Sequence, residues 1–252
     1  MKAIQIETID QVISELDQII QASIEEENCA GYFAALYRKV TLKVKEGIEQ
    51  NYFDNGPRME RLDVVFATRY LNAYHAHKSN EPITNSWQVA FDLTSHYWPI
   101  VLQHLLIGMN AHINLDLGIA AAEISEGEDI DDLQNDFNKI NKILSSLVHE
   151  VDRDLGEIWP TFRVIVKVLG KVDDFLVDFS MKLARNGAWK FAKELFNTPD
   201  QLKDQMIDTR DQKVAKKASL VTSPGFLIST IFKLIRVSEH GSIAKKIEDL
   251  RD

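Results

Sequence analysis

The run Leu105-Leu106-Ile107-Gly108-Met109-Asn110-Ala111-His112-Ile113-Asn114-Leu115-Asp116-Leu117-Gly118-Ile119-Ala120-Ala121-Ala122 decides how this chain folds. Its polar residues fall at every second position, Asn110, His112, Asn114 and Asp116, a pattern that taken alone suits a strand with one polar face. The flanks decide for a helix. Leu105-Leu106-Ile107 before the motif and Ala120-Ala121-Ala122 after it favour helix, and a lone strand in a helical protein has nothing to pair with. As a helix, the segment puts His112 and Asp116 on one face at i, i+4 and Asn110 and Asn114 on the nearly opposite one. From Tyr97 to Ala122 the only formal charge is Asp116, so the stretch has the length and character of a bilayer span. It also holds Gln103, His104, Asn110, His112 and Asn114, whose polar groups are costly in hydrocarbon unless partnered. The segment, Pro99 to about Glu123, therefore reads as the central buried helix of a soluble protein.

Working outward, the 3.6-residue period recurs along the chain. Ile9, Val12, Ile13, Leu16, Ile19 and Ile20 form one stripe, and Thr8 with Gln11 fits a capping box. Helices are predicted from Ala30 to Glu49, from Arg58 to His77 after the Asn55-Gly56-Pro57 break, and from Trp87 to Trp98. Beyond the acidic Glu126–Asp132 loop, helices are expected up to Trp159, over Phe162–Leu183, over Trp189–Phe196 and over Gln201–Val221. The Ser223-Pro224-Gly225 turn leads into a last helix, Phe226–Val237, and the charged 238–252 tail is expected to fray. With only 11 Gly and 6 Pro in 252 residues, the chain lacks the turn signals of an all-β fold. The prediction is an all-α, single-domain multi-helix bundle.

Composition excludes whole classes of function. The formal net charge is −9, a poor match for nucleic acid, whose phosphates need clustered cations. Cys29 is the only cysteine, so no intrachain disulfide forms. The opening MKAIQIETIDQV lacks the apolar core of a signal peptide, and a cytoplasmic location is expected. No Gly-rich phosphate loop or Gly-x-Ser-x-Gly elbow is present. The Phe226–Val237 helix is expected to pack in the core or at a homodimer interface, not on a membrane.

The chemistry concentrates on the central helix. A buried carboxylate must be paired, neutralised or bound to a cation, and a buried imidazole needs partners. His112 and Asp116, one turn apart, either share one divalent ion (Zn, Fe or Mn) or form a base and its orienting carboxylate. Asp92 and His96 repeat the i, i+4 spacing on the preceding helix, and His149 precedes Asp152 by three residues. His112, Asp116, Asp92, His96 and His149 are thus the candidate metal ligands. Asn110 and Asn114 are candidates for holding polar atoms of a small substrate, and Tyr70, Tyr74, Trp87 and Trp98 for lining an apolar pocket around it. Hydrolytic or other acid–base chemistry of the lyase or isomerase type is expected over redox chemistry. The competing expectation is a non-catalytic binding or scaffold protein with a structural polar network. Asp173-Asp174-Phe175-Leu176-Val177-Asp178 is spaced like a prenyl-diphosphate-binding motif, but the facing second motif is missing.

The Gly108–Leu117 segment resembles the signature of an uncharacterised bacterial family, domain of unknown function 5995. Phe33-Ala-Ala-Leu-Tyr37 with Thr41, Phe53, Leu62-Asp63 with Phe66 and Tyr70, Trp87 with Ala90-Phe91, and Trp189 with Ala192 are similar to further parts of that family. The resemblance spans roughly residues 30 to 225. It implies a helical fold and a candidate site, and supplies no reaction.

Overall fold

In a computed structural model of the protein, residues 5–140, 142–144 and 181–251 are described, and every regular element among them is helical. The N-terminal half holds α1 (Ile9–Glu25), α2 (Ala30–Glu49), α3 (Gly56–Lys78), α4 (Asn85–Thr94) and α5 (Val101–Ala111). A π-helical turn, His112–Asp116, then runs without a break into α6 (Leu117–Ile124). After a 3-10 turn at Ile130–Leu133 the chain is helical over 134–140, and the C-terminal part contributes helices Met181–Phe196, Asp200–Lys217, Phe226–Ser238 and Ile243–Arg251.

The α5–π–α6 rod is the axis of the fold. Its Val101–Ile124 span is apolar enough to cross a bilayer, yet 89% of its most apolar window is buried by the other helices. It is a core helix, as the polar residues within it require. Helices α2, α3 and α4 pack on it, as do Met181–Phe196 and Asp200–Lys217, while α1 and Ile243–Arg251 close over α2. Two glycines let the neighbours approach. A Cβ at position 108 would stand 2.4 Å from Cδ2 of Phe33, and one at position 118 would stand 2.6 Å from Cδ1 of Phe191 and 2.9 Å from the Ala188 carbonyl. Any larger residue at either place would push α2 or the Met181–Phe196 helix off the axis.

Helix starts follow local chemistry in some places and remote chemistry in others. The Thr8–Gln11 capping box forms as the sequence predicts, and Asn55 caps α3 by accepting from the Arg58 amide at 3.0 Å. At α4 the local Thr84 makes no cap bond. The buried carboxylate of Asp211, from the Asp200–Lys217 helix, accepts instead from the Asn85 amide at 2.6 Å, the Ser86 amide at 2.9 Å and the Asn85 side chain at 2.8 Å. Asp136 does the same ahead of α3, accepting from the amides of Asp54 at 2.7 Å and Asn55 at 2.9 Å. Replacing Asp211 with alanine strands three donors at a helix N-terminus. The expected cost is about 1–3 kcal/mol, read as a lower denaturant midpoint at constant slope; an unchanged midpoint would show that water replaces the carboxylate.

Three sequence expectations are corrected. The helix expected over Trp87–Trp98 stops at Thr94, because the chain turns there to reach Pro99. The acidic loop tightens into a 3-10 turn at Ile130–Leu133 under a cap from Asp129. The 238–252 tail does not fray: Ile243–Arg251 is a helix whose Lys246, Ile247 and Leu250 are buried. The Lys246 ammonium pairs at 3.0 Å with Glu239, whose other carboxylate oxygen accepts from the Val101 amide at 2.9 Å, so the tail is tied to the start of the central rod. The helices expected up to Trp159 and over Phe162–Leu183, His149 with Asp152, and the Asp173–Asp178 motif lie outside the described residues, apart from the ends of the two helices.

Candidate functional site

His112 and Asp116 lie on the π-helical turn, where the Leu117 amide reaches back five residues to the His112 carbonyl. Such single wide turns recur at functional sites. Both side chains are buried, at 3% and 1% relative exposure, and His112 Nδ1 lies 3.2 Å from Asp116 Oδ2. Two further donors converge on the carboxylate. Trp87 Nε1 of α4 donates to Oδ2 at 2.8 Å, and Arg69 Nε of α3 donates to Oδ1 at 2.9 Å.

These contacts settle where the proton sits. Burial alone would raise the Asp116 carboxyl, but Arg69, His112 and Trp87 outweigh it and hold it below the usual carboxylate range. Burial lowers His112 from its ordinary value, against the opposing pull of Asp116. Near neutral pH the pair is thus a carboxylate and a neutral imidazole. The carboxylate can only accept, so Nδ1 carries the hydrogen and Nε2 presents a bare lone pair.

That lone pair sits inside an aromatic box. Phe66 stacks flat on the imidazole with ring centroids 3.5 Å apart, and Tyr37 meets its edge at 4.5 Å. Phe33, Trp87 and Tyr70 follow at 5.8, 5.9 and 6.1 Å. Among the described residues His112 Nε2 has no hydrogen-bond partner, and neither do three other buried polar atoms on the helices that face it: the Tyr37 and Tyr70 hydroxyls and Asp63 Oδ2. Native interiors rarely leave such groups unpartnered. The side of the box nearest solvent is α3, where Phe66 and Arg69 are only partly buried.

Asp63 is the strained member of this set. Its carboxyl is pushed up to about 8 by burial and then by Glu60. An unfolded aspartate titrates near pH ~3.9, so Asp63 holds a proton in the fold that the unfolded chain releases. Its destabilising effect is absent below that value and grows as pH rises toward the folded value. Asp63→Asn should therefore gain stability over the wild type between about pH 4 and pH 8, measured by urea unfolding at both ends. Equal differences at the two ends would contradict the raised value.

The other candidates divide sharply. Tyr70 and Trp87 stand in the box as expected. Tyr74 is a step removed, packing on Tyr70 at 6.5 Å and Phe91 at 6.1 Å. Asn110 and Asn114 point away from His112, because they leave the opposite face of the rod. Asn110 Nδ2 donates to the Val214 carbonyl at 3.0 Å, Asn114 Nδ2 donates to Asn110 Oδ1 at 3.2 Å, and Arg210 Nε donates to the Asn114 carbonyl at 2.8 Å. They fasten the Asp200–Lys217 helix and have no spare groups aimed at the box. Asp92, His96 and Trp98 are exposed on another face, since α4 ends before it could turn His96 inward. Arg69 carries no signal in the sequence, where it looks like any solvated arginine on an amphipathic helix. Tyr37 and Phe66 read from the sequence as apolar helix positions and Asp63 as part of a family pattern, none of them with a role at the site.

The described residues do not by themselves assemble the divalent-ion site the sequence suggested, and His149, one of its proposed ligands, lies outside them. Both oxygens of Asp116 already accept from N–H groups, one of them a guanidinium, and among the described residues no three His, Cys, Asp or Glu side chains converge.

A family model, a family of unknown function (DUF5995), matches residues 9–224 and so includes the central rod and all five rings of the box. The chain belongs to this family. No curated protein and no solved structure matches this DUF5995 chain. The family match covers the resemblance seen in the Gly108–Leu117 segment and begins well before residue 30.

Proposed function

We propose that this DUF5995 protein is an enzyme of acid–base, most simply hydrolytic, chemistry on a small, partly apolar substrate, with His112 Nε2 as the base. The observation that carries this reading is the buried imidazole whose Nδ1 is fixed by a carboxylate while Nε2 has no partner among the described residues. A carboxylate that holds the tautomer and stabilises the imidazolium is what a general base requires. Asp116 supplies it, and Trp87 and Arg69 position Asp116. The Tyr37 and Tyr70 hydroxyls, both held protonated by burial, are donors for an oxygen that gains charge. On this reading a substrate approaches from the α3 side, where Phe66 and Arg69 are only partly buried.

A second reading rests on a different observation. Asp116 joins α3, α4 and the central rod through three bonds, and Asn110 and Asn114 bond to the protein's own groups on the far face, which is what a structural network needs. A panel of 4-nitrophenyl esters of increasing acyl length separates the two. Turnover by the wild type, falling by about 10²–10⁴-fold in His112→Gln at an unchanged melting temperature, supports the base. No turnover of any ester, or equal turnover in His112→Gln, removes the hydrolytic reading and leaves the structural one.

A further inference from the structure

The Phe226–Ser238 helix carries apolar residues on both its inner and its outer side. Ile231, Phe232 and Ile235 face inward and are buried. The opposite stripe recurs at helical spacing as Phe226, Leu227, Thr230, Lys233, Leu234 and Val237, all exposed. Phe226 is 90%, Val237 78% and Leu234 64% exposed. A soluble helix normally turns charged and polar residues outward at these positions. Beside it, the loop after α4 lifts Tyr97 and Trp98 into solvent at 71% and 50% exposure. They belong to the same surface: Lys233 lies 5.7 Å from the Trp98 ring centre and Arg236 4.9 Å from that of Tyr97. Between the loop and the helix runs an open groove of about 580 Å³, whose lining includes Trp98, Pro99, Phe232 and Lys233.

The charge of this region opposes that of the whole. The chain carries −9, yet residues 212–238 hold Lys213, Lys216, Lys217, Lys233 and Arg236 and no carboxylate. Asp211 is buried under α4, while Glu239 is buried between Arg236 at 2.7 Å and Lys246 at 3.0 Å, so of these cations Arg236 is already paired. Among the described residues Asp92 is the one carboxylate on the groove. The Ser223-Pro224-Gly225 break, with Gly225 at φ 88°, bends the helix by 68° away from the Asp200–Thr222 helix pair. This presents Phe226 and Leu227 at the corner.

From this juxtaposition we infer that the face formed by Tyr97, Trp98 and the Phe226–Ser238 helix docks on the surface of an anionic lipid bilayer. Interfacial helices carry aromatic and aliphatic side chains into the headgroup boundary and basic side chains beside them, and Trp and Tyr concentrate at that depth. Charge selects this occupant over a second copy. A second copy would bring a face of the same sign, Lys233 included, against this one, whereas anionic headgroups neutralise it. The inference stands apart from the proposed reaction: the inner face of this helix packs in the core as expected, and the inference concerns its outer face alone.

The test is sedimentation of the full chain with vesicles of phosphatidylcholine alone and of phosphatidylcholine with phosphatidylglycerol, at low and high salt. Binding is expected only to the anionic vesicles and is weakened by salt. The pair Phe226→Ser with Leu234→Ser, and separately Lys233→Glu, should each lower the partition coefficient by about tenfold or more. These side chains face solvent, so circular dichroism melting should match the wild type. Absence of binding to the anionic vesicles, or binding that neither variant weakens, overturns the inference. So does a dimer in light scattering that the serine variants convert to monomer, because the face then belongs to a second copy.

Discussion

Asp116→Ala is expected to lower the free energy of unfolding by about 3–5 kcal/mol, the range for breaking a buried ion pair by removing one partner. The carboxylate is the meeting point of three donors from three elements: Arg69 on α3, Trp87 on α4 and His112 on the π turn. Removing it leaves an indole N–H and an imidazole N–H buried without an acceptor. Arg69 is less affected, because its side chain is 28% exposed and can be hydrated. Asp116→Asn should cost less, since an amide oxygen still accepts from one or two of the donors. It should nonetheless disturb the imidazole, because its NH2 group can turn toward Nδ1 and force the hydrogen onto Nε2. Chemical denaturation gives the stability, and imidazole nitrogen shifts of labelled histidine give the tautomer. A loss below about 1 kcal/mol for the alanine variant would show that solvent already screens the carboxylate.

Trp87→Ala should be comparably severe, at about 3–5 kcal/mol. Trp87 is among the largest fully buried side chains and touches much of the core around the site. Its ring lies 5.0 Å from Tyr70, 5.5 Å from Phe91 and 5.7 Å from Phe33. Truncation therefore opens a cavity beside the imidazole and removes one donor from Asp116. Trp87→Phe restores most of the volume without the N–H, so the difference between the two variants isolates packing from the hydrogen bond. In a double-mutant cycle with Asp116→Asn, a coupling energy near zero would mean that the indole donor contributes nothing and the ring acts by volume alone.

Much of this was legible in the order of residues. The helical class, the capping box at Thr8, the α3 start at Asn55-Gly56-Pro57 and the burial of the Leu105–Ala122 run all follow from periodicity, caps and breakers, which are local properties. The His112–Asp116 spacing was legible for the same reason: one helical turn brings i and i+4 together whatever else the chain does. The separation of Asn110 and Asn114 onto the far face follows from the same geometry, but their use there does not. Polar spacing cannot say whether a side chain meets a substrate or a neighbouring carbonyl.

What the tertiary structure alone decided is the company each of these residues keeps. Arg69 and Trp87 reach Asp116 across 47 and 29 positions of sequence, so no window of the chain could pair them. Asp211 caps α4 from 126 residues away. The aromatic box needed α2, α3, α4 and the central rod to pack before five scattered rings could enclose one imidazole. The apolar outer stripe of the Phe226–Ser238 helix could be told from its inner one only once Ile231, Phe232 and Ile235 had found the core. Local sequence set which groups share a helix face, because that is a matter of turns of one backbone; burial and partnership depend on which faces meet, and only the assembled fold determines that.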